Sequence, residues 1–94
     1  MNENVVFVGK KPLVKYAYAV VTQISNGQKE VHIVARGKQI SRAVDTFNFL
    51  KRRFLNNIKL KEVKIGSEEV EREVQGKGKI KARVSFIDIT VTLS

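Results

Sequence analysis

The chain has 94 residues, 43% of them hydrophobic and 29% charged, which fits one folded domain (1–94) and excludes a disordered polyelectrolyte. Eighteen Lys and Arg stand against nine Asp and Glu, for a formal charge of +9 and an isoelectric point near 10.1. The absence of cysteine removes disulfides, thiolate nucleophiles and Cys-ligated zinc together.

Such an excess of positive charge on so small a body points to an anionic polymer or an anionic membrane surface as partner, with plain solubility as the bland alternative. No apolar run approaches the roughly 18 to 20 residues that span a bilayer, and no signal-peptide pattern opens the chain. The protein is therefore expected to stay in the compartment where it is made, with no membrane partner.

Met1–Asn4 reads as a short mobile lead. Val5–Val8 is an unbroken apolar run with β-branched residues, the pattern of a strand buried on both faces. Gly9, Lys10, Lys11 and Pro12 break it, and Pro12 suits the first helical position, where its missing N–H has no partner to lose. Leu13, Tyr16, Ala17, Val20, Val21 and Ile24 recur at spacings of three and four, which predicts a helix from Leu13 to about Ser25 with one apolar stripe. Asn26 and Gly27 supply its stop, and a second strand follows over about Glu30–Arg36.

The stretch Ala35–Phe54, ARGKQISRAVDTFNFLKRRF, is the hub of the chain. Gly37 permits a positive-φ turn from strand straight into helix. Ile40, Ala43, Val44, Phe47, Leu50 and Phe54 form the buried stripe of that helix. At about 100° per residue Phe49 falls nearly opposite Phe47, among Arg42, Thr46 and Arg53, where a monomer leaves it wet. It is either an isolated surface aromatic or a subunit contact.

From Ile58 the period becomes two. Leu60 is followed by Val63 and Ile65 after a slip of one residue, the mark of a β-bulge. Val70, Arg72 and Val74 lead to the glycine-rich tip Gln75–Gly78. Ile80, Ala82, Val84 and Phe86 return, and the phase then flips to Ile87, Ile89, Val91 and Leu93. Two strands of about a dozen residues each reach on the order of 40 Å, so the distal half is expected to project as an arm. The order strand, helix, strand, helix, strand, strand predicts an α+β two-layer sandwich: a four-stranded mixed sheet, two helices on one face and a long protruding terminal hairpin.

Catalysis has little to stand on. Asp45 and Asp88 are isolated, His32 sits mid-strand opposite the Val31/Ile33 face where a histidine is ordinarily structural, and no serine lies in a nucleophile elbow. GxxxxGK[ST] is absent, and no ligands cluster for a metal. No enzyme activity, cofactor or metal is expected.

The cations do form a pattern. Lys10, Lys11 and Lys15 sit at the first strand-to-helix junction, and Arg36, Lys38 and Arg42 at the second. If the two strands are neighbours, both junctions open on one edge and merge into a patch that grips phosphates beside the unpaired N–H groups of a helix start. Apart from Gln39 the patch holds almost no Asn or Gln to aim at base edges, so it positions rather than reads sequence. Arg52 and Arg53 either extend the patch or solvate the helix. On the arm, Lys77, Lys79, Lys81 and Arg83 share one face, but Glu69, Glu71 and Glu73 have the same parity on the opposing strand. The arm is either a basic ladder or a self-neutralised pairing, and Lys77 and Lys79 at the tip are the cations least subject to pairing.

The segments VVFVGKKPL (Val5–Leu13) and ARGKQISRAVDT…RRF (from Ala35) resemble the signature segments of the Alba family, small basic chromatin proteins of archaea. The resemblance covers essentially the whole chain. It implies a fold like the C-terminal domain of translation initiation factor three. It also implies a homodimer, or a heterodimer with a paralogue, that binds double-stranded DNA and also RNA with little sequence preference, in the cytoplasm on the chromosome. By motif, Lys10 and Lys11 correspond to the family's paired nucleic-acid lysines, with Lys10 the one whose acetylation weakens binding. Arg36 and Lys38 correspond to the basic pair flanking the glycine, and Phe54 to the aromatic through which neighbouring dimers touch. The four glutamates of the arm depart from a plainly basic hairpin. The leading expectation is a sequence-tolerant DNA-coating and compacting dimer. The rivals are an RNA-binding ribonucleoprotein subunit and a protein-only assembly module built on Phe49 and Phe54.

Overall fold

A computed structural model describes residues 4–93. Strand β1 (Val5–Phe7) pairs in parallel with β2 (Glu30–Arg36), β2 runs antiparallel to β4 (Gly78–Leu93), and β4 runs antiparallel to β3 (Ile58–Val74), giving the order β1-β2-β4-β3. Helices α1 (Leu13–Ser25) and α2 (Ile40–Arg53) lie over β1, β2 and β4 on one face. This is the expected α+β mixed sheet, helix for helix and strand for strand.

Alternation decides which side chains are inside. Val6 with Val8, then Val31, Ile33 and Ala35, then Ile87, Ile89 and Val91 point under the helices and meet Ala17, Val20, Ala43 and Leu50. Each fully buried branched side chain in that layer contributes about 1.5–3 kcal/mol. Pairing of Leu60 with Val91 and of Glu62 with Thr90 leaves Lys61 unmatched, which is the predicted bulge. It restores Val63 and Ile65 to the face that Leu60 occupies.

Several expectations are corrected. The lead Met1–Asn4 lies outside the described residues save for Asn4, whose carbonyl accepts from the His32 N–H at 2.7 Å. Strand β1 is an edge strand with helices on one side only, so Phe7 is 67% exposed rather than buried. Pro12 has an extended ψ of 142° and stands just before the helix, which starts at Leu13. In α2, Val44 (40%) and Phe54 (37%) are exposed rather than core, while Thr46 is fully buried and donates to the Arg42 carbonyl at 2.7 Å. Phe49 is half-buried, not wet: it packs against the core, and the ring of Phe54, just past the end of α2, lies edge-on to it.

Strand β4 passes from Phe86 to Ile87 with unbroken register, so no bulge accompanies the flip of phase. What changes there is which face of the ribbon is apolar. Beyond Arg36, where β2 ends against Phe86, the β3/β4 ribbon continues alone for about eight residue pairs to the Gln75–Lys77 turn, and the molecule measures 50 × 22 × 22 Å. The strands have 17 and 16 residues, longer than the dozen expected.

Candidate nucleic-acid interface

Parallel pairing of β1 and β2 brings their C-terminal ends together, and Val8 N–H extends the ladder to the Val34 carbonyl at 2.8 Å. The two strand-to-helix junctions therefore form one corner. In the first, Gly9–Pro12 leads into α1. In the second, Gly37 (φ +56°) opens a 3₁₀ turn, Gly37–Gln39, before α2. Neither helix start carries a side-chain cap, and although the Ile40 N–H goes to the Gly37 carbonyl and the Lys15 N–H to the Pro12 carbonyl, both helices point the positive end of their dipole at this end of the sheet. Lys10, Lys11, Lys15 and Lys38 are exposed here, and among the described residues none has a carboxylate within ion-pairing distance.

The other two predicted cations behave differently. Arg42 is half-buried, and its Nε donates to the Gly9 carbonyl at 2.8 Å while Nη2 donates to the Lys11 carbonyl. The side chain thus ties α2 to the lysine loop. From the other side the Tyr16 hydroxyl accepts the Lys11 N–H at 3.1 Å. The loop that carries the two adjacent lysines is held at the Gly9 and Lys11 carbonyls and at the Lys11 amide, which lowers the entropy lost when a phosphate orders it. Arg36 is exposed, but its Nε lies 2.7 Å from Glu68 Oε1 at the root of the arm. A phosphate there competes with a carboxylate already in place.

The arm departs from the same end as the corner. Its register sets Glu69, Glu71 and Glu73 opposite Arg83, Lys81 and Lys79, the parity expected from the sequence. Lys81 Nζ lies 3.6 Å from Glu69 Oε1 and Arg83 donates to Ser67 Oγ at 3.1 Å, while Lys77 sits in the exposed turn. Arg52 and Arg53 occupy the last turn of α2, about 20 Å from its start at 1.5 Å per residue. They favour the negative end of the helix dipole there and do not join the corner.

Away from the corner, Phe54 packs its ring 5.2 Å from Tyr18 and 5.7 Å from Phe49, an aromatic trio spanning both helices. His32 Nδ1 is 2.8 Å from Asp88 Oδ1 and 3.2 Å from Thr90 Oγ1, a cross-strand cluster on the helix-free face. Among the described residues no three His, Asp or Glu side chains gather to hold a metal ion, and no helix is long and apolar enough to cross a membrane. The sequence did not announce the Arg42 clamp or the Arg36–Glu68 pair. The first uses backbone acceptors that have no residue signature, and the second joins positions far apart in the chain.

Comparison with known proteins places this geometry. Residues 4–67 match the Alba family model. The chain is 47% identical over 89 residues to the DNA/RNA-binding protein Alba 1 of Archaeoglobus fulgidus, covering 95% of this chain and 94% of that one. It is 46% identical over 92 residues to the DNA/RNA-binding protein Alba of Methanoculleus marisnigri, covering 98% and 96%. The structure of Alba from Thermoplasma volcanium superposes with a TM-score of 0.82 at 38% identity, over 95% of this chain and 99% of that one. At 24% identity a structure from Trypanosoma brucei shares the fold alone, with a TM-score of 0.78 over the whole of this chain and 72% of that one. The chain belongs to the Alba family.

Proposed function

We propose that this protein is a DNA- and RNA-binding chromatin protein that coats and compacts duplex DNA as a dimer with little regard to sequence. The observation that carries the proposal is the corner: parallel strands deliver Lys10, Lys11, Lys15 and Lys38 to one end of the sheet beside two uncapped helix starts. These are point charges and backbone donors, suited to phosphate oxygens rather than base edges. Relatives named DNA/RNA-binding proteins, at 46–47% identity over nearly their full length, support the same assignment. Acetylation of Lys10 would delete one of these charges.

The dimer is supported by a second feature. Leu60, Val63 and Ile65 of β3 point to the helix side of the sheet, beyond the reach of the helices, and Ile65 is 78% exposed. A run of apolar side chains on an edge strand is the kind of surface that a second copy covers. Phe54, exposed at its rim and braced by Tyr18 and Phe49, serves contacts between dimers.

Binding to a DNA duplex and an RNA duplex across a salt series tests the proposal. Log affinity falls linearly with log salt, with a slope of about −0.9 per phosphate contact on DNA. The double variant Lys10→Ala/Lys11→Ala flattens that slope by about 2 and weakens unrelated sequences equally. A wild-type affinity indifferent to salt, or a loss confined to one sequence, rejects it. Sedimentation of the free protein at twice the chain mass tests the dimer.

A further inference from the structure

Helices cover one face of the sheet and leave the other bare. On the bare face the pairing sets Phe7 of β1 beside Val34 of β2, and Phe86 of β4 beside Arg36. Phe7 is 67% exposed although it is a large aromatic in a regular strand. Phe86 lies flat over its cross-strand partner Gly66: a Cβ placed on that glycine would stand 2.8 Å from the ring's Cζ. Only glycine leaves room for the ring to lie down on β3. With strands about 4.8 Å apart and about 3.3 Å per residue, the Cα atoms of Phe7 and Phe86 are separated by roughly 12 Å. Between them, Val34, Arg36, Glu68, Phe86 and Asp88 line a shallow hollow of about 200 Å³.

Charge selects the occupant. The carboxylates of this face each stand beside a basic side chain: Asp88 by His32 at 2.8 Å, Glu68 by Arg36 at 2.7 Å, and Glu62 by Lys64 at 3.9 Å. Phe7 lies three residues before Lys10, and Arg36 two before Lys38, so the apolar platform runs into the corner whose lysines are unpaired among the described residues. A platform of aromatic rings bordered by phosphate-binding cations matches a polymer with apolar bases and an anionic backbone. It does not match a duplex, whose bases are stacked on one another. A second copy has its own surface on the opposite side of the sheet, along Leu60, Val63 and Ile65.

We propose that the helix-free sheet face is a binding site for single-stranded nucleic acid, in which unpaired bases stack on Phe7 and Phe86 while the backbone runs to Lys10, Lys11 and Lys38. This rests on the nucleic-acid assignment of the corner and adds a form of substrate that the corner alone does not distinguish. The test compares a 12-nucleotide oligouridylate with an RNA duplex of 12 base pairs at one salt concentration, using wild type, Phe7→Ala and Phe7→Tyr. Phe7 is exposed, so truncation leaves the core intact. Phe7→Ala weakens the oligouridylate about tenfold, the scale of one lost base stack, and leaves the duplex within twofold, while Phe7→Tyr retains both affinities. Equal loss on both forms, no loss on the single strand, or a changed oligomeric state of Phe7→Ala overturns the site. Wild-type protein that binds neither form overturns the corner assignment as well, whereas duplex binding with a single-strand affinity indifferent to Phe7 overturns this site alone.

Discussion

The corner and the arm carry the same kind of charge and hold it in opposite ways. Both leave the body at the C-terminal ends of β1 and β2, and both are rich in lysine. At the corner the cations sit on loops and first helical turns, where no ladder assigns them a neighbour, and Lys10, Lys11, Lys15 and Lys38 meet no carboxylate among the described residues. On the arm, strand register assigns each side chain of the ladder an opposite number, and three of the five cations, Lys79, Lys81 and Arg83, face glutamate. Net charge per segment therefore misjudges what a polyanion encounters. Cations on the irregular backbone of the corner have no assigned neighbour, whereas these three on the ladder stand across from glutamates, and Lys81 closes an ion pair with Glu69 at 3.6 Å.

Arg42 is where the corner is most vulnerable, because its lysine loop has no ladder to hold it. Arg42→Ala removes two charge-assisted hydrogen bonds to the Gly9 and Lys11 carbonyls, each worth about 1.5–3 kcal/mol of loop order. Duplex affinity is expected to fall about tenfold or more. The salt slope stays within about 0.3 of wild type, because no phosphate contact is deleted. Arg42→Lys keeps the charge but not the fork, so it recovers less than half of the loss on a logarithmic scale. Hydrogen exchange at the Lys11 amide, held by Tyr16, speeds up in both variants. A slope that flattens by about 0.9 in Arg42→Ala, with full recovery in Arg42→Lys, would mean that Arg42 touches phosphate itself.

Much of this was legible in the sequence because periodicity reports a half-buried face directly. The stripe Leu13, Tyr16, Ala17, Val20 set α1, and the slip between Leu60 and Val63 set the bulge at Lys61. What escaped has a common cause. Period reports that a face is apolar but not what lies against it. Val5–Val8 looks the same whether the strand is central or at an edge, so the exposure of Phe7 is invisible until the sheet order is known. Thr46 falls on the same stripe as Ala43 and Leu50, at spacings of three and four, but its hydroxyl hides it from a hydrophobic period, and Phe49 gains its cover from the ring of Phe54, a fact of packing beyond the helix itself. The parity of Glu69, Glu71 and Glu73 was readable and held. The attachment of Glu68 to Arg36 depended on where β2 stops.

The arm responds to substitution by a smaller margin. If its cations are silenced by register, removing the opposing charges should release them. Glu69→Gln/Glu71→Gln/Glu73→Gln keeps the side-chain length and the strand pairing while removing the carboxylate that holds Lys81 and the negative charges across from Arg83 and Lys79. Exposed ion pairs contribute only about 0–1 kcal/mol each, so the fold tolerates the exchange. Duplex affinity at low salt is expected to rise about three- to tenfold and the slope to steepen by about 1 to 3. An unchanged slope would show that the arm lies away from the nucleic acid whatever its charge.

The smallest effect separates two lysines on the arm that stand two residues apart. Lys79 is opposite Glu73, whereas Lys77 lies in the Gln75–Lys77 turn between Gly76 (φ +85°) and Gly78 (φ +74°), where the ladder has ended. The backbone on either side of Lys77 takes positive-φ conformations that L side chains rarely adopt, and Lys77 itself is exposed in the turn with no residue opposite it. If regularity is what pairs charge, Lys77→Ala should weaken duplex binding about threefold and flatten the slope by about 0.9, the value of one phosphate contact. Lys79→Ala exposes a glutamate as it removes a cation, so its loss is about twofold with little change in slope, and it disappears in the triple glutamine background. Equal slopes for the two variants would show that position along the arm, not pairing across it, governs which charges the polyanion meets.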